Sequence, residues 1–206
     1  MNTKNIYLLR HGQTDFNKRG VVQGKGIDAP LNSTGQEQAN KFFQKYKEIS
    51  FDRIYISTLL RTYQTVKGFI DLGIPVKKLE GLDEIDWGVW EGKSLSEDGR
   101  QYYLETVKRW SNGETSYAIE GGESPDKVRD RQIKAFDEIM DNSKEELILI
   151  CMHGRAMRIL LPTLLNIPLR KMDQFEHENT SLYQLSYGGE KFVITNYNDT
   201  SHLIGN

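Results

Sequence analysis

Arginine and histidine side chains directly follow the apolar run Ile6–Leu9, at positions Arg10 and His11, before Gly12 interrupts it. A short run rich in aliphatic and aromatic residues is typical of a buried strand. Open α/β sheets bind their ligands at the carboxyl ends of their parallel strands. We therefore expect an anion-binding guanidinium group and a nucleophilic imidazole at the ligand-binding edge of a sheet.

Three further segments place chemically useful side chains at strand ends. Arg61 lies in the first turn after a second short strand, Glu84 follows a third strand, and His153 ends the most apolar run, Leu147–Met152. Parallel strands would bring all of these groups to one edge. Two guanidinium groups, two imidazoles and a carboxylate suit phosphoryl transfer, which depends mainly on positioning and on stabilising negative charge.

The alternation of apolar runs and helical patterns predicts an α/β fold with three layers. Its sheet is mostly parallel, with one antiparallel edge strand and helices on both faces. We expect Ser57 to cap the helix that begins near Leu59, and a loop without helix over 12–32. The predicted strands are 5–10, 51–56, 75–79, 147–152 and a hairpin of 180–186 with 191–196, and the helices are 34–48, 59–71, 99–110, 124–141 and one from 155.

Residues 1–206 are expected to form a single domain with an insertion at about 82–123. The insertion contains all three tryptophans, Trp87, Trp90 and Trp110, together with several tyrosines. Two interpretations of these aromatic residues remain open. They pack a small core of their own, or they form the wall of a substrate pocket.

Composition excludes several classes of partner. The formal charge of −2 offers no basic excess for nucleic acid. No apolar run approaches the ~18 residues of a membrane span, so we expect no membrane partner. The single cysteine, Cys151, cannot form an internal disulfide, which favours a cytoplasmic location. The sequence does not predict an oligomeric state.

Two other catalytic strategies fit the sequence poorly. A cysteine phosphatase needs an arginine six positions after its nucleophile, and Met157 stands six positions after Cys151. The histidines are widely spaced and lack metal-ligand patterns, so we expect no catalytic metal and no cofactor. His177 and His202 are expected to be surface or structural residues.

The motifs, taken in order along the chain, resemble the histidine phosphatase superfamily, also called phosphoglycerate mutase-like, and within it the small-phosphatase branch. The resemblance runs from about Lys4 to Arg158. The matching motifs are Arg10-His11-Gly12, Ser57–Thr65 with Arg61 in it, Glu84 ahead of Gly88–Gly92, and His153-Gly154. The run Gly121–Ser124 also resembles a family loop, but Glu120 replaces the usual preceding proline, which leaves the path of this loop open.

This resemblance implies a metal-independent phosphomonoesterase that forms a phosphohistidine and acts on a small phosphorylated metabolite. His11 would attack phosphorus, and Glu84 would give and then take the proton. The other implied site residues are catalytic His153, Arg10 and Arg61 and substrate-binding Asn17, Gln23 and Gly154. The helix that follows Gly154 would add backbone N–H donors for the phosphate.

A cofactor-dependent phosphoglycerate mutase using the same histidine is the alternative. The insertion here is short and rich in acidic residues, which suits a small polyanion poorly and favours the hydrolase. A binding module without catalysis is a third possibility, and it fits less well because both histidines and both arginines are present.

Overall fold

A six-stranded sheet forms the centre of the computed structural model, which describes residues 3–94 and 97–204. Numbered along the chain, the strands are β1 Lys4–Arg10, β2 Arg53–Ile56, β3 Val76–Lys78, β4 Leu147–Met152, β5 Leu182–Tyr187 and β6 Phe192–Asp199. Across the sheet they lie in the order β3-β2-β4-β1-β5-β6, and β1 to β4 are parallel to one another. β5 runs antiparallel to β1, and β6 antiparallel to β5. The expected mostly parallel α/β sheet is therefore confirmed.

Helices cover both faces of this sheet. The α-helices are α1 Asp15–Arg19, α2 Ser33–Tyr46, α3 Leu60–Asp71, α4 Glu97–Ser111, α5 Pro125–Asp141 and α6 Gly154–Leu164, and 3-10 turns occupy Glu80–Leu82, Gly88–Trp90 and Leu169–Gln174. α2 and α3 pack on one face, and α5 and α6 on the other.

The central strands alternate their side chains between two apolar clusters. In β4, Ile148 and Ile150 pack toward α5 and α6, whereas Leu149 and Cys151 pack toward α2 and α3. Because both faces of the sheet are covered, a central strand can be apolar at every position. This explains why 147–152 reads as one continuous apolar run.

The pairing register brings three strand ends together. Arg10 pairs with Met152 across β1 and β4, and Ile56 pairs with Cys151 across β2 and β4. The residues that follow these strands, His11, Ser57 and His153, are therefore neighbours. Because β4 lies between β1 and β2, the carboxyl ends of these three strands form the edge at which we expected the ligand to bind.

A short helix, α1, interrupts the segment that was expected to be a loop without helix. Thr14 caps it: the Thr14 hydroxyl accepts from the backbone N–H of Asn17, and the Asn17 side chain accepts from the backbone N–H of Thr14. This reciprocal capping box gives partners to the backbone N–H groups of Thr14 and Asn17, which the first turn of the helix cannot satisfy. The expectation for 12–32 was wrong at these five residues, and α1 brings Asn17 to the site.

The aromatic residues after β3 pack on one another. Trp110 is fully buried and Trp87 is 7% exposed, and Trp90 stacks on Tyr102 with ring centroids 4.8 Å apart. The cavity lined by the two tryptophans Trp87 and Trp90 is about 10 Å³, room for about one water molecule. Of the two interpretations left open, packing is the one that the structure favours.

Across the described ranges, no helix is both long and apolar enough to cross a membrane.

Candidate active site

Two buried imidazole rings meet at the carboxyl ends of β1 and β4. The ring centroids of His11 and His153 lie 5.1 Å apart, and the two residues are 3% and 0% exposed. They are separated by more than 140 positions in the chain. The parallel pairing of β1 with β4 is what brings them together.

The hydrogen bonds of His11 fix its tautomer. Its Nδ1 lies 2.7 Å from the carbonyl oxygen of Gly12, and a carbonyl only accepts, so Nδ1 carries the proton and Nε2 keeps its lone pair. Burial, and then the charges of Arg61 and Arg10, hold the pKa of His11 well below 6.5. The ring is therefore neutral at neutral pH, as a nucleophile must be.

Thr65 holds the peptide that orients His11. Its hydroxyl accepts from the backbone N–H of Gly12 at 3.0 Å and donates to the carbonyl of Arg61 at 2.6 Å. Asn179, which lies just before β5, binds the same turn, because its Nδ2 donates to the carbonyl of His11 at 3.0 Å. The nucleophile candidate is thus held by backbone contacts on two sides.

His153 has the opposite tautomer. The Arg61 Nε–H can only donate, and it points at Nδ1 of His153 from 3.1 Å, so Nδ1 is unprotonated. Burial, and then Arg61, hold the pKa of His153 well below 6.5. The proton of the neutral ring therefore lies on Nε2, which donates to Ser57 Oγ at 2.8 Å.

Ser57 does not cap α3 as we expected, but accepts a hydrogen bond from His153. The N-cap of α3 is Leu59, which makes no side-chain capping bond. The Ser57 hydroxyl accepts from His153 and from the backbone N–H of Leu59. It can then donate to the hydroxyl of Thr62, 3.0 Å away. This chain of donors keeps the imidazole of His153 in one orientation.

Ser57→Ala should lower kcat/KM for phosphomonoesters about tenfold, which corresponds to ~1.4 kcal/mol. The substitution leaves the Nε2–H of His153 without an acceptor, and an unsatisfied buried donor costs ~1–3 kcal/mol. Steady-state kinetics measures the loss, and 15N NMR of labelled histidine measures the change of tautomer. Ser111→Ala, which removes an exposed hydroxyl at the end of α4, is the matched control. Unchanged histidine signals in Ser57→Ala would contradict the assignment.

Arg61 and Arg10 place two guanidinium groups beside the rings. Arg61 is fully buried, and its terminal nitrogens donate to the carbonyls of Ile27 and Gly24 at 2.7 and 3.2 Å. Burial lowers the pKa of Arg10 to about 10, so it stays charged at neutral pH. The Nε of Arg10 is buried without a hydrogen-bond partner among the described residues. That donor is left over for an anion.

The carboxylate of Glu84 lies at the N-terminus of α6. Oε1 accepts from the backbone N–H groups of Ile85 and Ala156 at 2.9 and 2.8 Å, and Oε2 accepts from that of Arg155 at 3.1 Å. The expectation that the α6 amides face a phosphate is therefore wrong for Arg155 and Ala156, because Glu84 takes both. This capping places Glu84 close to His153, the residue that precedes α6.

Among the described residues, the amide oxygens of Asn17 and Gln23 accept hydrogen bonds, whereas their amide nitrogens have no partner. The oxygen of Asn17 lies within hydrogen-bond distance of the backbone N–H and hydroxyl of Thr14 and of the Asn179 amide. The oxygen of Gln23 accepts from the Thr14 hydroxyl at 2.7 Å. The Gln23 amide nitrogen is buried and has no partner in the described chain. Both side chains are thus oriented as donors.

Gly154 is packed tightly against His177 and Arg10. A Cβ atom at position 154 would lie 2.6 Å from a ring carbon of His177, so a side chain would displace that ring. Burial, and then Arg10 and Arg158, lower the pKa of His177 to about 2. His177 therefore lies beside the site, which no motif in the sequence indicated. His202 packs against Phe42, as a structural residue does.

Cysteine chemistry finds no support at this site. Cys151 is completely buried in β4, and burial raises the pKa of its thiol, so a thiolate does not form. Within 3–94 and 97–204, no group of three or more histidine, cysteine, aspartate or glutamate side chains is arranged to hold a metal ion.

The free energy of unfolding should fall as the pH drops below about 6.5. His11 and His153 stay neutral in the folded protein because their pKa values are depressed, whereas the unfolded chain binds protons there at its ordinary pKa. Protons bound only by the unfolded state favour unfolding, by up to about 1.4 kcal/mol per pH unit for each histidine. Urea unfolding between pH 5 and 8 measures the slope. A smaller slope in His153→Gln would support the assignment, and an unchanged slope would contradict it.

Comparison with known proteins shows the family to which this chain is similar. The model of the histidine phosphatase superfamily (branch 1) matches residues 6–200. Phosphoserine phosphatase 1 of Hydrogenobacter thermophilus is 30% identical over 199 residues, 96% of this chain and 93% of the relative. The Yersinia enterocolitica protein named "Probable phosphoglycerate mutase GpmB" is 31% identical over 207 residues, 96% of this chain and 94% of that protein.

A solved structure shows the same similarity. The phosphoserine phosphatase of Entamoeba histolytica, in complex with 3-phosphoglyceric acid, superimposes with a TM-score of 0.82 at 26% identity. The match covers 98% of this chain and 100% of that one. Together with the family match over nearly the whole chain, this similarity shows that the chain belongs to branch 1 of the histidine phosphatase superfamily.

Proposed function

We propose that the protein is a metal-independent phosphomonoesterase that works through a phosphohistidine on His11. The observation that carries the proposal is the state of His11: a neutral, buried ring with its lone pair on Nε2, beside Arg10, Arg61 and His153. A neutral imidazole next to fixed positive charge is suited to attack on a phosphate ester.

The reaction has two displacements. In the first, Nε2 of His11 bonds to phosphorus, the bond from phosphorus to the ester oxygen breaks, and the protonated form of Glu84, which the second displacement regenerates, gives that oxygen its proton. In the second, water attacks phosphorus, Glu84 takes the proton of the water, and the bond from phosphorus to Nε2 breaks. One carboxyl group can serve both steps because leaving group and water occupy the same side.

Positive and donor groups stabilise the transferred phosphoryl group. Arg10 and Arg61 supply guanidinium N–H donors. Asn17, Gln23 and the Gly154 backbone supply neutral donors. For His153 to bind a phosphoryl oxygen through Nδ1, that atom must gain a proton and the Arg61 Nε–H must turn away from it. A substrate that arrives as a monoanion carries such a proton.

The substrate in this proposal is a small phosphorylated metabolite. Support comes from the relatives, whose names include phosphoserine phosphatase and one of which was solved with 3-phosphoglyceric acid. We also propose that residues 1–206 form one domain with an insertion at about 82–123. The single cysteine supports a cytoplasmic location.

A cofactor-dependent phosphoglycerate mutase is the second candidate. The favouring observation is the relative that carries a phosphoglycerate mutase name at 31% identity. Both functions would use the same phosphohistidine, so they differ in whether water or a second hydroxyl group takes the phosphoryl group.

Turnover of 4-nitrophenyl phosphate in the presence of a chelator tests the proposal. We expect phosphate release at an undiminished rate with EDTA, and an acid-labile phosphoenzyme after a rapid quench. A panel of metabolites that includes phosphoserine and 3-phosphoglycerate then separates the candidates. Release of phosphate supports the hydrolase, whereas interconversion of 2- and 3-phosphoglycerate with little release supports the mutase. Activity that is lost with the chelator and restored by a metal would overturn metal independence.

A further inference from the structure

Arg131 of α5 and Glu123, just before α5, lie behind the segment that carries Glu84. We propose that this pair positions the Glu84 carboxyl group for proton transfer. The inference rests on the proposed acid–base role of Glu84 and adds two residues that touch neither phosphate nor substrate in that mechanism.

Arg131 binds the backbone on the N-terminal side of Glu84. One of its terminal nitrogens donates to the carbonyls of Gly81 and Asp83 at 3.0 and 2.9 Å, and the other donates to the carbonyl of Glu84 itself at 2.9 Å. The carbonyl of Glu80 lies farther away, at 3.4 Å, so four carbonyls of residues 80–84 converge on one guanidinium group. A planar, forked donor can satisfy several acceptors at fixed angles, which an ammonium group cannot do.

Glu123 binds the backbone on the C-terminal side of Glu84 and holds Arg131 as well. Its two carboxylate oxygens accept from Nε and a terminal nitrogen of Arg131 at 2.9 and 3.0 Å. One of them also accepts from the backbone N–H of Asp86 at 3.0 Å. Burial alone would raise the pKa of Glu123, but Arg131 outweighs it and the pKa is lowered, so Glu123 is ionised at neutral pH.

The loop of Gly121–Ser124 packs closely against the backbone that follows Glu84. The backbone N–H of Glu123 donates to the carbonyl of Asp86 at 2.9 Å, and that of Val89 donates to the carbonyl of Glu120 at 3.0 Å. A Cβ atom at Gly122 would collide with the carbonyl oxygen of Asp86. The path that the sequence left open therefore runs along the residues that follow Glu84.

Orientation matters because a general acid must lie within hydrogen-bond reach of the oxygen it protonates. A displacement of ~1 Å can cost ~100-fold in rate. The carboxylate oxygens of Glu84 accept from the backbone N–H groups at the start of α6. The backbone on either side of Glu84 is bound by Arg131 and Glu123. Loosening the backbone anchor should therefore impair proton transfer before it impairs phosphate binding.

The test measures kcat/KM for a series of aryl and alkyl phosphates with leaving groups of increasing pKa. For Arg131→Lys and Glu123→Gln we expect activated aryl phosphates to react within about twofold of the wild-type rate. Alkyl phosphates, whose leaving oxygen needs the proton, should react 10- to 100-fold more slowly, so the dependence on leaving-group pKa steepens. Arg129→Lys is the matched control, because Arg129 lies on the same helix and pairs with Asp126 and Asp130.

Glu84→Gln in the same series distinguishes a failure of the positioning role from a failure of the proposed function. A steeper dependence in Glu84→Gln, with a uniform loss or no change in both Arg131→Lys and Glu123→Gln, would overturn the positioning role and leave the proposed function intact. An unchanged dependence in Glu84→Gln would overturn both. Glu123→Gln keeps the side-chain shape, so it decides the question if Arg131→Lys does not fold.

Discussion

His11→Ala should lower kcat for every phosphomonoester by about 10⁴-fold or more. Removal of an attacking nucleophile is among the most costly changes in covalent catalysis, because the remaining residues cannot replace the bond it forms. Substrate binding should survive, since Arg10 and Arg61 remain in place. We therefore expect little change in the affinity for inorganic phosphate, measured by calorimetry.

Two measurements check this prediction. Steady-state assays give the loss of kcat, and a quench with 32P-labelled substrate gives the phosphoenzyme, which should be absent from His11→Ala. His202→Gln is the control, because His202 packs against Phe42 and contacts Thr180. A labelled, acid-labile adduct that persists in His11→Ala would place the covalent intermediate on another residue.

The apolar pattern was sufficient to predict where the candidate site lies in the sheet. The runs Ile6–Leu9 and Leu147–Met152 are apolar because the sheet is covered on both faces. The first ends one residue before β1 ends at Arg10, and the second ends with β4 at Met152. Parallel pairing then brings residues from distant parts of the chain to one edge. His11 and His153 were predictable in this way, since their position depends only on strand identity and direction.

The hydrogen bonds around these residues were not predictable. Ser57 faces His153, and Arg131 binds the turn of Glu84, only because the fold brings together residues 96 and 47 positions apart. The spacing of apolar residues in a sequence does not predict the direction in which an individual polar side chain points. The helix α1 was missed for a related reason. Five residues are too few for helix propensity to matter, and the capping box of Thr14 with Asn17 is what stabilises it.

Glu84→Gln should reduce hydrolysis of alkyl phosphates by about 10²- to 10⁴-fold, the range that general acid–base catalysis contributes. Glutamine can still accept from neighbouring amides, but it can neither give nor take the proton. Its NH2 group also faces a backbone N–H, from Arg155 or from Ile85 and Ala156. Thermal unfolding must therefore accompany the kinetics, and we expect a moderate loss of stability.

Pre-steady-state kinetics distinguishes the two roles of Glu84. With an activated aryl phosphate, the first displacement needs little help from an acid, so Glu84→Gln should still form the phosphoenzyme. The second displacement needs the base, because water must lose a proton as it attacks. The variant should therefore accumulate phosphoenzyme and show a burst of 4-nitrophenol followed by slow turnover. If kcat stays normal and no phosphoenzyme accumulates, the base in the second step is a group other than Glu84.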